Sequence, residues 1–433
     1  MLVNYKVSNF KSINDLQEFR MVAGPTRGKK NHVQDVKGVP ILKNTIIFGA
    51  NAGGKSSFIR SMYVAQNIII KGANHSSALR EMYCRNNPEN KEKETYFEFL
   101  FENKENYYSY GFEIVLSRNE VTKEWAYKYD PVADADSLIF ERNGNELTTN
   151  DDHFTTEEAN RLKLYSEDIS TRENDSLFLK EVSRKKIDAD SNLTVFLEIF
   201  RWFSRKLRIN SLKSVDNEED LKKLAVSMRE MGTDISDFKL VEVEDESSSF
   251  ADMEKEIREF FEDKNTKVKG LSVKGMLFTY DEGKVKTQEI CPVHECSGET
   301  FHLREESDGT REAFNLSPLL FLDDEDTTII IDEYGSHMHP LLAYEFVNKF
   351  LASNSIRNNQ LIIATHHTSL MTLDLFRRDE IWFVEKNNGN SEIYSLDEFE
   401  IRSDNRIDKA YLSGRFGALP VFKEIVGDPN DSD

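Results

Sequence analysis

The unbroken stretch Gly49-Ala50-Asn51-Ala52-Gly53-Gly54-Lys55-Ser56 constrains the fold of this chain more than any other. It matches the phosphate-binding pattern of a glycine, four free positions and then Gly-Lys-Ser. Its flanks match too. Asn44-Thr45-Ile46-Ile47-Phe48 is a compact apolar run of the kind a buried strand makes. After the loop, Phe58, Met62 and Ala65 recur at helical spacing, which predicts a helix from Lys55 to about Lys71. The chemistry demands these residue types. Glycines let backbone N–H groups turn inward around phosphate oxygens, and the helix beginning here adds its positive dipole end. Lys55 is expected to reach the β- and γ-phosphates of ATP, and the Ser56 hydroxyl to ligate Mg²⁺. Gly49, Asn51, Gly53, Gly54 and Ser57 complete the expected nucleotide site.

Two further motifs lie far downstream. Thr328-Ile329-Ile330-Ile331-Asp332-Glu333 is an apolar strand ending in two carboxylates. Asp332 is placed to hold Mg²⁺, and Glu333 to take the proton of the attacking water. Leu361-Ile362-Ile363-Ala364 predicts another strand, ending in Thr365-His366-His367. A histidine at the carboxyl end of a parallel strand points toward a nucleotide crevice, so His366 is expected to sense the γ-phosphate, with His367 the alternative if the register slips by one.

Around these motifs the pattern changes twice. Residues 1–154 read as strand-rich, with a hairpin candidate between Glu94 and Arg142 that turns over Glu102-Asn103-Lys104-Glu105-Asn106. Residues 155–267 read as helical, with Val195, Phe196, Ile199, Phe200 and Phe203 on one face and Leu221, Leu224, Ala225 and Met228 on another. Residues 268–433 return to strands, first around Asp281-Glu282-Gly283 and then at Thr328–Ile331, Leu361–Ala364 and Ile381–Val384, with helical Pro340–Ser353 between the first two of these last three. That strand–helix–strand rhythm implies a parallel sheet. The simplest organisation is one α/β nucleotide-binding sheet assembled from both ends, with the helical middle inserted as a lobe.

The chain has 433 residues, room for about two to four units. Lys and Arg number 56 against 77 Asp and Glu, a net charge of −21. Such a surface does not coat nucleic acid or anionic membrane non-specifically, so any such contact needs a local basic patch. No run approaches the roughly 18 apolar residues of a membrane helix. The opening MLVNYKVSNFKSIND has no apolar signal core, and three cysteines fit a reducing compartment. A cytoplasmic protein is expected.

In this order, with a long gap between the first and second, the three motifs resemble those of the ABC-type ATPase heads of the SMC, RecF and OLD group. The resemblance implies a signature loop ahead of Asp332. Glu306-Ser307-Asp308-Gly309-Thr310-Arg311-Glu312 stands there, followed by helical Ala313–Leu320, and looks like the serine–x–glycine signature of the group. In such heads Ser307 and the Gly309 backbone cap a helix that faces ATP held by another subunit. The resemblance therefore implies a homodimer or larger homo-oligomer around ATP and Mg²⁺. Ser336-His337-Met338-His339 occupies the place of the loop that runs along that interface.

VSNFKSI, GANAGGKSS, IDEYGSHMHPLL, THHTSLM, LFRRDEIWFVEK and YLSGRFGALP together resemble the RloA-like ATPases of bacteria. Many of these stand beside a small effector in anti-phage loci, and the ATPase of the PARIS system is a relative. The implied fold is an ABC-type, RecF/SMC-like P-loop head with a helical insertion lobe. The implied role is a sensor or scaffold ATPase controlling a separate effector. OLD nucleases carry a Toprim domain after the ATPase, and the residues after Glu385 are too few for one, so any nuclease is expected on another polypeptide. The rival reading is a DNA-repair ATPase of the SMC/RecF kind, against which the short insertion argues. Contact with DNA or RNA stays open, and no membrane partner is expected. The glutamine such heads place after the first helix has no convincing counterpart, Glu98 being a positional guess only.

Weaker signals have bland alternatives. Cys291-Pro292-Val293-His294-Glu295-Cys296 offers zinc donors in cramped spacing with no evident fourth, and reads better as a loop between strands. Arg201, Arg205, Lys206, Arg208 and Lys213 form a basic run, either a contact for an acidic partner or a solvated face. Arg27, Lys29 and Lys30 lie where this class contacts the nucleotide base or ribose, or form a surface loop. Leu322-Asp323-Asp324-Glu325-Asp326 reads as a solvated acidic turn.

Overall fold

A computed structural model describes residues 1–25, 28–150, 152–170, 176–211, 215, 217–243, 257–258, 261–262, 270–273, 275–281, 284–321, 326–354, 357–400 and 406–420. Arg27, Lys213, Glu282, Gly283 and the turn residues Leu322 to Glu325 lie outside the described residues. The chain divides into two compact units.

The first unit comprises the described residues of Met1–Leu207, Ile330–Glu333 and Gln360–Asp433. A nucleotide sheet, most of which lies in this unit, runs in the order Leu207–Ile209, Thr328–Ile331, Gln360–Ala364, Asn44–Phe48, Ile381–Asn387 and Asn390–Ser395. Asn44–Phe48 pairs in parallel on both sides, Ile46 lying opposite Ile363 on one and Ile381 on the other. Every residue of Asn44–Phe48, Thr328–Ile331 and Gln360–Ala364 is buried, as continuous apolar strands of a covered parallel sheet require. Thus the central strand comes from the N-terminal part of the chain and both its neighbours from the C-terminal part. The last two strands form a hairpin over Asn388 and Gly389, both at positive φ (48° and 89°), the turn that matches strand twist.

A seven-stranded antiparallel sheet forms the other layer, in the order Glu146–Thr149, Ala135–Asn143, Glu120–Asp130, Asn106–Val115, Thr95–Asn103, Leu2–Ser8 and Gln17–Arg20. The expected five-residue turn tightens to Lys104-Glu105, since Asn103 pairs with Asn106 and both turn residues take positive φ. The helix Lys55–Lys71 has the expected bounds and buries Phe58, Met62 and Ala65. Tyr5 meets its Phe58 and the sheet residue Phe99 at ring separations of 5.7 and 4.6 Å, while Phe19 bridges Phe58 and Trp382 of the nucleotide sheet. Each such ring contributes about 1.5–3 kcal/mol on burial. Helices Thr156–Ser170, Phe178–Ser183 and Thr194–Arg201 also belong to this unit. A π turn, Trp202–Lys206, lets adjacent Trp202 and Phe203 both face inward, where Trp202 stacks on Phe101 at 4.1 Å.

The second unit comprises the described residues of Arg208–Ile329 and Tyr334–Asn359. The middle read as helical is therefore shared between the units, and part of it is a strand. Glu218–Glu230 is a helix with Leu221, Leu224, Ala225 and Met228 buried. Ile235–Glu242 then joins a four-stranded antiparallel sheet in the order Ile235–Glu242, Lys284–His294, Met276–Asp281 and Gly270–Val273. Pairing along the whole of Ile235–Glu242 supplies ladder bonds that a local helical pattern does not reveal. Helices Asp308–Leu316 and Pro340–Ser353 also belong to the unit.

Candidate functional site

The phosphate loop leaves Asn44–Phe48 at its carboxyl end and hands the chain to Lys55–Lys71. Lys55 Nζ donates to the carbonyls of Gly49 (2.7 Å) and Ala50 (3.2 Å) and lies 3.4 Å from His366 Nδ1. Burial pushes its ammonium down to about 8, against the opposing pull of Asp332 and Glu333. Ser56, in the first helical turn, donates its hydroxyl to the Asp332 carboxylate. Burial raises the Asp332 carboxyl despite that bond and the Glu333 N–H, which donates to Asp332 Oδ1 at 3.0 Å. Glu333 is exposed and holds φ at 55°, a left-handed conformation that costs a residue with a side chain about 1–3 kcal/mol. Burial, then the nearby Lys55 cation, lowers the His366 imidazole, which favours its neutral form. His367 is placed differently: its N–H donates to Thr365 Oγ1.

So Lys55, Ser56, Asp332, Glu333 and His366 meet at the carboxyl ends of adjacent strands within the first unit. Asn51 stands exposed on the loop, Gly53 is buried, and Ser57 is half-buried in the first helical turn. Gly54 needs to be glycine: φ is 117°, and a Cβ there would lie 2.1 Å from Ser391 Oγ. Ser391 had no signal in the sequence. Its hydroxyl lies 2.8 Å from both the Gly53 carbonyl and Ser12 Oγ, donating to the first and accepting from the second. Its backbone N–H also donates to Ser12 O. The loop is thereby fastened by residues from opposite ends of the sequence.

The signature residues lie in the second unit. Ser307 caps the helix Asp308–Leu316, its Oγ accepting the Thr310 N–H at 3.1 Å. The helix starts at Asp308, as the expected Ser307 cap implies, and the expected helical stretch Ala313–Leu320 gives way at Ser317 to a 3₁₀ turn through Leu320. Gly309 has no room for a side chain, since a Cβ would lie 2.8 Å from the His337 carbonyl. Glu312, which closes the signature stretch, has a role that the sequence does not show. Its carboxylate accepts the N–H groups of Gly335 (2.8 Å) and His337 (3.0 Å), fixing the Ser336–His339 loop to the signature helix. His339 Nδ1 then caps Pro340–Ser353 by accepting the Leu341 N–H.

The remaining signals fall on structural contacts. Glu98 accepts from Lys6 and Ser109 within the antiparallel sheet. Arg201 and Arg205 are exposed. Lys29 Nζ donates to the Asp374 carbonyl. Cys291 is buried in its strand, while exposed Cys296 contacts Asp234. In the YLSGRFGALP segment Tyr411 and Phe416 stack on Phe383 at 5.5 and 5.7 Å, and the Tyr411 hydroxyl donates to Ala418 O. Among the described residues no helix is long and apolar enough to cross a membrane.

Solved structures similar to this chain include two SMC heads. An SMC head bound to the C-winged helix domain of ScpA is 12% identical with a TM-score of 0.41, over 91% of this chain and 97% of that one. The SMC head domain from Thermotoga maritima is 12% identical with a TM-score of 0.34, over 92% of this chain and 99% of that one. No curated protein sequence matches. Residues 45–372, more than half of the chain, match the family described as an AAA domain, putative AbiEii toxin, type IV toxin–antitoxin system. With its phosphate loop between a buried parallel strand and a helix, and its sheet built from both ends of the sequence, the chain has an α/β P-loop fold and belongs to this AAA family.

Proposed function

We propose that the protein hydrolyses ATP to ADP and phosphate with Mg²⁺, working as a homodimer or larger homo-oligomer. The observation that carries this reading is the meeting of Lys55, Ser56, Asp332, Glu333 and His366 around one loop. A hydroxyl bonded to a half-buried carboxylate at a helix N-terminus is an oxygen donor pair that suits Mg²⁺. Ser56 and Asp332 hold the ion, which when bound neutralises charge on the β- and γ-phosphates. Loop N–H groups cradle the phosphates. Lys55 exchanges its carbonyl partners for phosphate oxygens. Glu333, exposed at the strand end, accepts the proton of the attacking water. Neutral His366 donates one hydrogen bond to the γ-phosphate. Ser307 and Gly309 serve the ATP of a second copy.

The biological role we infer is that of a cytoplasmic sensor or scaffold ATPase controlling a separate effector in anti-phage defence. It rests on the resemblance to RloA-like proteins and on a family whose description names a putative toxin of a toxin–antitoxin system. Co-purification with the product of an adjacent gene would support it, whereas turnover stimulated by DNA without such a partner would favour the repair reading.

The deciding experiment on the chemistry compares Glu333→Gln with His366→Ala. Glu333→Gln keeps the shape of the side chain but cannot take the proton, and is expected to lose about 10²–10⁴ in turnover. ATP then persists, and the variant accumulates on sizing as an ATP-dependent dimer or higher assembly. Near-normal turnover in Glu333→Gln with loss in His366→Ala would overturn the assignment of the base.

A further inference from the structure

The zinc-like spacing Cys291 to Cys296 comes apart on folding, but another donor set forms on the same strand. Glu289 and Cys291 stand two residues apart on Lys284–His294, so their side chains leave the same face. His302, at the N-cap of the turn Leu303–Glu305, brings Nδ1 to 2.8 Å from Glu289 Oε2. A Glu289 carboxylate oxygen, the Cys291 sulfur and a His302 ring nitrogen all lie within 4.8 Å of one another. We propose that Glu289, Cys291 and His302 form a zinc site.

The chemistry and the framework both suit the ion. Thiolate, imidazole and carboxylate are the donors Zn²⁺ takes at about 2.0–2.3 Å, and three protein donors leave one position for water. The strand carrying two of them is paired on both sides, with Val241 and Met276 opposite Glu289. The His302 backbone is fixed by its N–H, which donates to Glu305 Oε2 at 2.8 Å. Cys291 is only 2% exposed, while Glu289 and His302 are nearer the surface, which gives an ion a way in. Lys239, opposite Cys291 on the neighbouring strand, is exposed to solvent. Zinc binding then expels the thiol proton, the thiolate replacing a metal-bound water.

The site would pin the sheet to the turn Leu303–Glu305, which runs straight into Glu306 and Ser307. That consequence for the signature loop rests on the reading under Proposed function; the metal site itself does not.

The test titrates metal-free protein with Co²⁺, followed in the visible and near ultraviolet, and then adds Zn²⁺. About one equivalent of Co²⁺ per chain is expected, with tetrahedral visible bands and a thiolate-to-cobalt charge-transfer band that Zn²⁺ removes. Cys291→Ser should abolish the charge-transfer band, His302→Ala should weaken Co²⁺ binding at least about tenfold, and Cys296→Ser should change neither. A wild-type protein without the charge-transfer band overturns the site. So does a band kept by Cys291→Ser and lost in Cys296→Ser, or full Co²⁺ affinity in His302→Ala. If Cys291→Ser fails to fold, the wild-type titration and His302→Ala still decide. No arm contains nucleotide, so failure here is separable from failure of the ATPase reading.

Discussion

Lys55 waits against the carbonyls of Gly49 and Ala50 with its ammonium brought down to about 8. Phosphate oxygens favour the charged form and raise it again. Below about pH 8 the side chain is already charged and ATP binding takes up no proton; above it, binding must supply one. Apparent ATP affinity is therefore expected to fall by roughly tenfold per unit of pH above that point, until the pKa of the bound state is reached. Calorimetry in two buffers of different ionisation enthalpy reads this directly. Proton uptake should be near zero around pH 7 and approach one around pH 9, and an uptake that stays flat would separate Lys55 from the phosphates. Gly54 permits a structural test. Gly54→Ala should cost roughly 1–3 kcal/mol from its backbone alone, plus the clash with Ser391. Because Ser391→Gly also loses the hydroxyl's bonds to Gly53 and Ser12, the clash is read as the difference between the cost of Gly54→Ala in the Ser391→Gly background and in the native one, by thermal melting of both single variants and the double variant. The residues expected to touch phosphate were legible because their spacing is local. Ser391 was not, since it reaches Gly53 across 338 residues, and neither was Glu312, which bonds Gly335 across 23.

At the scale of the element, Ser307 has two separable duties. As an N-cap its loss costs about 1 kcal/mol, too little to unfold a unit of this size. Ser307→Ala is therefore expected to keep ATP binding by a single copy and lose turnover, and mixing it with Glu333→Gln should restore at most one active site per dimer. Full turnover by Ser307→Ala alone would rule out a role in trans. The Tyr411–Phe416 segment stacks on Phe383 of the nucleotide sheet, and Phe416 is 1% exposed. Phe416→Ala should cost about 3–5 kcal/mol, measurable in denaturant. Strongly periodic elements such as Asn44–Phe48 and Lys55–Lys71 were readable because burial and period agree there. The end of the signature helix was not: the stretch expected to stay helical to Leu320 turns 3₁₀ at Ser317, one residue before Pro318. Ile235–Glu242 was missed because its strand character comes from a partner about fifty residues away, which no local window contains.

For the whole molecule, the decisive fact is that the nucleotide sheet cannot be built from either end alone. Asn44–Phe48 has Gln360–Ala364 on one side and Ile381–Asn387 on the other, and Gln360 also donates to the carbonyls of Leu2 and Leu42. Sequence order made the two-ended sheet legible, since one motif precedes the middle and two follow it. The division into units was less so, because the helices up to Arg201 pack with the first unit and give no compositional break at Leu207. A chain cut after Asn359 should lose the first unit's cooperative unfolding, although it keeps the phosphate loop intact. Adding back 360–433 as a separate polypeptide should restore it in part, by circular dichroism and ATP binding. The same arrangement sets a schedule during synthesis. Ile46, Ile47 and Phe48 leave the ribosome more than three hundred residues before the strands that will cover them. At about 5–20 residues per second they wait roughly 15–60 seconds as a bare hydrophobic edge. A nascent chain stalled before Gln360 should thus be a strong client of holding chaperones, and one released after Ser395 should not.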